Sequence, residues 1–161
     1  MPLAPILARV RSEVTTAAGV PAAVVHDGRR WVKQASDWIA LFSSGGQLHG
    51  WQVSWVGADQ EVEGVNNLVI RTHSIRIEGV YAVEDDQAGT TAKSELAFRT
   101  ITEAVLDVLT TDALAAAPLN GTCMAAGPPD LVGLEERVVR KHLVHYAEIE
   151  LEAVERFSYA P

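Results

Sequence analysis

Residues 141–157 read KHLVHYAEIELEAVERF, and this stretch decides the fold. Small or apolar side chains alternate with polar ones along most of it, which is the two-residue period of a β-strand. One predicted face carries His145, Ala147, Ile149, Leu151 and Ala153. The opposite face carries Tyr146, Glu148, Glu150 and Glu152. The pattern predicts a long C-terminal strand.

The length of this strand is itself informative. Seventeen residues at roughly 3.3 Å each span about 55 Å. A globule of 161 residues has a radius of gyration of about 15 Å and hence a diameter near ~40 Å. We therefore expect either a bend at a bulge or β-structure that projects beyond the core, where unpaired edges favour a partner.

The rest of the chain supplies other strands and two clear helices. The helical period predicts helices over residues 3–18 and 94–109 and a short one over 112–117. Strands are predicted over 68–83 and part of 131–139, and residues 22–57 are predicted to be extended, with apolar runs at 22–26, 38–42 and 48–56. Residues 58–67 and 84–89 are predicted loops. The expected fold class is α+β, a mainly antiparallel sheet with helices packed on one face, in a single domain over residues 1–161.

Composition restricts the class of protein. The chain has 13 Lys and Arg against 21 Asp and Glu, a formal charge of −8 and a pI near 5.0. Tight binding to a phosphate backbone needs an excess of cations, so this balance argues against a protein that grips nucleic acid. The single cysteine excludes an internal disulfide and suits a reducing cytoplasm. We expect no secretory signal and no membrane helix.

Histidines are the first candidates for metal chemistry. His142 and His145 are three apart, and on a strand an odd spacing puts them on opposite faces. No HExxH motif and no cysteine pair accompanies them. We interpret the histidines as structural or surface residues, with a metal site built from distant segments as the alternative. The set is His26, His49, His73, His142 and His145.

Cys123 is the candidate nucleophile, with His73 or His145 as its base, but a lone cysteine beside Met124 and alanines is typical of a buried small side chain. The sequence has no G-x-S-x-G, P-loop or G-x-G-x-x-G motif. We predict no catalytic, cofactor-binding or metal-binding residue and no enzyme. The alternative, a small α+β enzyme or ligand-binding protein, requires a pocket that joins two of His73, His142, His145 and Cys123.

Two surface features remain as candidate sites. Glu148, Glu150 and Glu152 form an acidic row, interpreted as a water-facing row, as the lining of a negatively charged surface in an assembly or, least favoured, as a catalytic pair. Arg71 or Arg76 is expected to pair with this row across strands. Trp31 follows the polar turn Asp27-Gly28-Arg29-Arg30 and is the interface candidate among the four tryptophans.

The order of elements in the second half resembles the tail terminators of tailed bacteriophages, the proteins of the head–tail junction. The resemblance rests on the strand 72–81, the helix 94–109, the leucine-rich turn 114–121, the Gly127-Pro128-Pro129 break and the final strand 142–152. A looser similarity extends over the N-terminal helix. Residues 31–67 depart from the pattern.

The resemblance implies a structural virion protein made in the host cytoplasm, without catalytic residues or cofactor. It implies a homo-oligomeric ring, a hexamer, that ends polymerisation of the tail tube and joins the tail to the head connector. The implied partners are the major tail tube protein and a head-completion or connector protein. DNA would pass through without specific binding, and the row Glu148, Glu150 and Glu152 would face it. The alternative within this class is another connector or minor tail subunit.

Overall fold

A computed structural model describes residues 3–30, 34–63, 68–83 and 92–158, and in the last range it describes side chains from residue 94 on. The helices are α1 (Leu3–Thr16), a 3₁₀ turn (Ala22–Val24), α2 (Ala35–Leu41), α3 (Ala92–Ala113) and the short α4 (Pro118–Gly121). The strands are β1 (Val25–Asp27), β2 (Ser43–Ser44), β3 (Gln47–Glu63), β4 (Leu68–Ala82), β5 (Ala125–Ala126), β6 (Asp130–Val139) and β7 (His142–Ser158).

The seven strands form a sheet in the order β1-β3-β4-β7-β5, with β2 paired to β3 and β6 paired to β7. Every pairing is antiparallel except that of β1 with β3. The α+β fold class, the mainly antiparallel sheet and the long C-terminal strand are confirmed. Strand β7 pairs with β4 without interruption from Leu68 opposite Ser158 to Ala82 opposite Val144.

Helices α1 and α3 cover one face of the sheet. Ile6, Val10 and Val14 line one side of α1 at helical spacing, and Phe98, Val105 and Leu109 do the same on α3. These side chains pack against alternate residues of the three central strands, among them Trp51, Ile77 and Ile149. Burial of this apolar surface is the main stabilising contribution to the fold.

Helix α2 lies against the opposite face of the sheet. Trp38 and Phe42 pack there on Val80, Val144 and Tyr146 in a second, smaller cluster. The sequence pattern predicted an extended chain for residues 38–42, which was wrong. A short apolar run does not distinguish a buried strand from one side of a short helix.

One end of the sheet extends past the helices. The arm is defined as residues 57–63 of β3, 68–72 of β4 and 155–158 of β7, which pair with one another to the strand ends. Residues 58–63 are all exposed. This end of the sheet therefore projects beyond the core, which is one of the two arrangements expected for so long a strand. A bulge in β3 lies between Trp55 and Gly57, at the base of the arm.

Other sequence-based boundaries were shifted. Residues 58–63 belong to β3 and not to the predicted loop 58–67. Helix α3 runs to Ala113, so the predicted helix over 112–117 is absent, and Pro118–Gly121 forms α4 instead. The predicted loop 84–89 and residues 64–67 lie outside the described residues.

Candidate functional site

The sheet face opposite α1 and α3 carries a cluster of charged side chains. Glu148, Glu150 and Glu152 lie on this face of β7, because the intervening residues Ile149 and Leu151 point into the core. Arg76 and Glu78 of β4 lie directly opposite Glu150 and Glu148. The predicted row is therefore a real surface feature, and it shares its face with a guanidinium group.

Arg76 binds two members of the acidic row. Its Nη2 donates to Oε1 of Glu150 at 2.9 Å, and its Nε lies 2.9 Å from Oε1 of Glu148. The hydrogen bond to Glu150 is the largest cause that raises the pKa of Arg76. Glu152 is exposed and forms no ion pair with a described residue. The expected cross-strand pairing is thus made by Arg76, whereas Arg71 pairs with Glu155.

Tyr146 connects the acidic row to Glu78. Its hydroxyl donates to Oε1 of Glu78 at 2.6 Å and also lies 3.1 Å from Oε2 of Glu148. Burial raises the pKa of Tyr146, and the two carboxylates raise it further. Gln52 donates to the other oxygen of Glu78 at 2.7 Å. The network fixes these side chains and keeps Tyr146 protonated.

Beyond this network the same face forms an arginine groove, defined as Arg29, Arg30, Arg137 and Arg140 around Trp38. Two adjoining hollows of about 210 Å³ and about 280 Å³ make up the groove. Trp38, Gln52 and Glu78 line both of them.

Two turns bring the four arginines together. Gly28, with a φ of +74°, allows the chain to leave β1 towards Arg29. Arg140 and Lys141 both have positive φ and form the two-residue turn between β6 and β7. The guanidinium of Arg137 stacks 3.8 Å from the centre of the Tyr146 ring. The sequence did not predict this groove, because Arg29 and Arg30 lie about a hundred residues from Arg137 and Arg140 along the chain. The available signal was that both turns contain arginines.

The base of the arm contains a buried ionic cluster. Glu155 is 1% exposed, and its Oε1 lies 3.0 Å from Nη1 of Arg71 and 3.4 Å from Nε2 of His73. Arg71 also stacks on Phe157, 4.6 Å from its ring centre. Because a buried carboxylate is costly without partners, Arg71 stabilises Glu155 in the folded state.

The histidines are dispersed over the sheet. His49, His73 and His145 are buried, His26 is partly buried and His142 is exposed. Within residues 3–30, 34–63, 68–83 and 92–158, no three histidine, cysteine, aspartate or glutamate side chains group together as a metal site would require. The alternative of a metal site gains no support from this part of the chain.

Cys123 is buried, and burial is the main cause that raises the pKa of its thiol. A higher pKa lowers the thiolate fraction and hence the reactivity of the thiol. The Sγ atom lies 3.6 Å from the carbonyl oxygen of Pro118. These features are those of a packed side chain.

An arrangement that the sequence did not indicate joins Ser94, His145 and Glu136. Ser94 Oγ lies 3.0 Å from Nε2 of His145, but Nδ1 of His145 is 3.9 Å from Oε1 of Glu136, too far for a hydrogen bond. Ser94 is only 4% exposed. The adjacent hollow of about 120 Å³ is lined by His145 but, among the described residues, by none of His73, His142 and Cys123. It therefore does not join two of the candidate residues, as the enzyme alternative required. The geometry is that of a buried histidine stacked on Phe98 and not of an activated nucleophile.

The predicted interface residue Trp31 lies outside the described residues. Of the other tryptophans, Trp38 and Trp51 are buried, and Trp55, next to the bulge, is 49% exposed. Many of the other exposed apolar side chains lie on β3, β6 and the start of β7, namely Val56, Val62, Leu131, Val132, Leu134, Val138 and Leu143. Leu96, Leu114 and Met124 are exposed elsewhere.

In comparisons with known proteins, no protein-family model and no curated protein matches the chain. A solved structure described as the virion of a native gene transfer agent particle contains a similar chain, with a TM-score of 0.49 and 14% sequence identity over 94% of each chain. In the part of the molecule that the structure describes, no helix is long and apolar enough to cross a membrane.

Proposed function

We propose that this chain is a structural subunit of a virion-like particle that forms a ring at the head–tail junction, terminates the tail tube and joins it to the head connector. The observation that carries the proposal is the arm. Its three paired strands expose Val62, and Trp55 and Val56 are exposed next to the bulge at its base. Projecting strands with exposed apolar residues favour pairing with another chain.

Exposed apolar residues lie towards both edges of the sheet. At the edge opposite β3, strand β6 pairs only with β7 among the described strands and exposes Val132 and Val138. A subunit whose two edges differ and can bind each other makes head-to-tail contacts between copies. Such contacts form a closed ring when the rotation from one copy to the next divides a full turn evenly. We propose a hexamer, with the tail tube protein on one side of the ring and a connector protein on the other.

The acidic row has a role in this proposal. Glu148, Glu150 and Glu152 would face the DNA path, where negative charge repels phosphate and prevents adhesion. Arg76 neutralises part of this charge at Glu148 and Glu150. Glu150 and Glu152 are the more exposed members of the row and are therefore the residues to reverse. Glu150→Lys together with Glu152→Lys should slow passage of DNA from assembled particles; ejection at the normal rate would exclude the lining role.

The terminating role is tested in the particle-producing cell that encodes this chain. Deletion of the gene should give tails of uncontrolled, increased length that are not joined to heads, because nothing then ends tube polymerisation. Electron microscopy of the lysate measures both properties, and expression of the intact chain from a plasmid is the control. Tails of normal length on filled heads would contradict the proposal. Normal-length tails that lack heads would favour another connector subunit.

A further inference from the structure

Of the four arginines of the groove, one has no ion pair with a described residue and one has only a long ion pair. Arg30 pairs with Asp27 at 2.9 Å, and Arg137 pairs with Glu135. Arg29 forms an ion pair of 3.9 Å with Glu78, and the Arg29 side chain is 47% exposed. Arg140 is exposed and forms no ion pair with a described residue. Arg140 is therefore available to a ligand, and Arg29 can bind a second carboxylate beside Glu78.

The arm carries available anions on the same face of the sheet. Asp59, Glu61 and Glu63 alternate along β3 and are exposed. Glu63 pairs with Arg156 at 3.0 Å, whereas Asp59 and Glu61 form no ion pair with a described residue. Two residues apart on a strand, these two carboxylates lie about 7 Å from each other. The numbers and signs of available charges on the arm and in the groove match.

The arm cannot reach the groove of its own chain. Glu78 lines the groove, and Thr72 and Ile70, the β4 partners of Asp59 and Glu61, lie six and eight residues away on the same continuous β4. Six to eight residues of strand span about 20–26 Å, and the pairing of β4 with both neighbours prevents the strand from folding back. An acidic arm and an arginine groove at opposite ends of one sheet are complementary only between two copies.

We propose that Asp59 and Glu61 of the arm of one copy bind Arg29 and Arg140 in the groove of a second copy. This inference rests on the proposed function, because it supplies a contact between neighbouring ring subunits. It also gives the groove a consequence for DNA. The groove lies beside the acidic row, so uncovered arginines would attract the phosphates that the row repels. A docked acidic arm would cover them.

The test uses the full chain with matched charge reversals. The groove-reversed variant carries Arg29→Glu and Arg140→Asp, aspartate being tolerated at the positive φ of residue 140. The arm-reversed variant carries Asp59→Lys and Glu61→Lys. The control, Glu103→Lys with Asp107→Lys, makes the same change in net charge as the arm-reversed variant, but on the exposed side of α3. Circular dichroism checks that each variant is folded, and light scattering over a concentration series measures self-association.

The wild-type chain and the control should self-associate, and each reversed variant alone should do so roughly tenfold or more weakly, since like charges then face each other. An equimolar mixture of the two variants should restore association, and added salt should weaken it. Association of either reversed variant at the wild-type level, or a wild-type chain that stays monomeric, would overturn the inference.

Two further outcomes separate this inference from the proposed function. A restored species that is a two-fold dimer would support the arm–groove contact but contradict the ring. Short duplex DNA that binds the wild-type chain at low salt, and loses binding only in the groove-reversed variant without a change in mass, would make phosphate the occupant and overturn the contact.

Discussion

The helix-covered end of the sheet and the arm are built from the same three strands, β3, β4 and β7, yet they differ in what surrounds them. At the covered end Ile77 and Ile149 are 0% exposed. In the arm Val69 of the central strand β4 is 2% exposed, but Val62 of the neighbouring β3 is 63% exposed. The hydrogen-bonded ladder continues through both ends without a gap in β4 and β7. Backbone pairing thus determines how far the sheet extends, and helix packing determines which part is stable on its own. The arm is the part that a partner would complete.

The largest difference between the two ends should come from truncated apolar side chains. Ile77→Ala should lower the free energy of unfolding by about 2–5 kcal/mol, because it removes buried methyl groups and leaves a cavity. Val62→Ala in the arm should change it by less than about 0.5 kcal/mol. Urea denaturation measures both values. Similar losses for the two variants would show that the arm is as firmly packed as the covered end.

A pH titration should show the second-largest effect at the covered end. Burial lowers the pKa of His49 from 6.5 to about 4, and Trp51 Nε1 donates to its Nε2 at 3.2 Å, which requires a neutral ring. Since the folded-state pKa is depressed, this stability is present above pH 6.5 and is lost as the pH falls through about 4. The loss is roughly 3 kcal/mol, at about 1.4 kcal/mol per pKa unit.

Unfolding free energies between pH 7 and pH 4 test this prediction. The fall over that range should be smaller in His49→Gln than in the wild-type chain. His142→Gln is the matched control, because His142 is exposed next to the β6–β7 turn. An unchanged pH dependence in His49→Gln would exclude His49 as its source.

A methyl group added to a glycine should distinguish the packed from the open backbone. A Cβ on Gly79 would lie 2.7 Å from the ring of Trp51, which is fully buried and cannot move away. Gly79→Ala should cost about 1–3 kcal/mol through overpacking. A Cβ on Gly133 of β6 has no neighbour within 4 Å, so Gly133→Ala is the control, expected within about 0.5 kcal/mol. Equal thermal stability of the two variants would contradict the tight packing.

The smallest expected effect concerns the ionic cluster at the base of the arm. Arg71→Met removes a partner of the buried Glu155 and should cost about 1–2 kcal/mol, between the values for exposed and buried pairs. Hydrogen exchange should become faster in residues 57–63 and 68–72 and remain unchanged in α3. Arg156→Met, which breaks the exposed pair with Glu63, should change neither. Faster exchange throughout the chain in Arg71→Met would mean that the cluster stabilises the whole fold.

Side-chain periodicity was enough to predict the elements whose burial repeats regularly. Strand β7 follows the expected faces, the existence of β4, β6, α1 and α3 was predicted correctly, and Arg76 pairs with the acidic row as expected. It failed where burial does not repeat. Residues 58–63 are exposed on both faces and resemble a loop in composition, and α2 is too short to show a helical period. The arginine groove depends on the order of strands, which a linear sequence does not display.

The mass and shape of the purified chain test the central claim, that the arm serves assembly. Light scattering over a concentration series, followed by negative-stain imaging of the largest species, gives both. We expect a multimer with a central hole, in which the amides of residues 57–63 exchange more slowly than in the dilute chain. A monomer at every concentration, with equally fast exchange in the arm throughout, would contradict it.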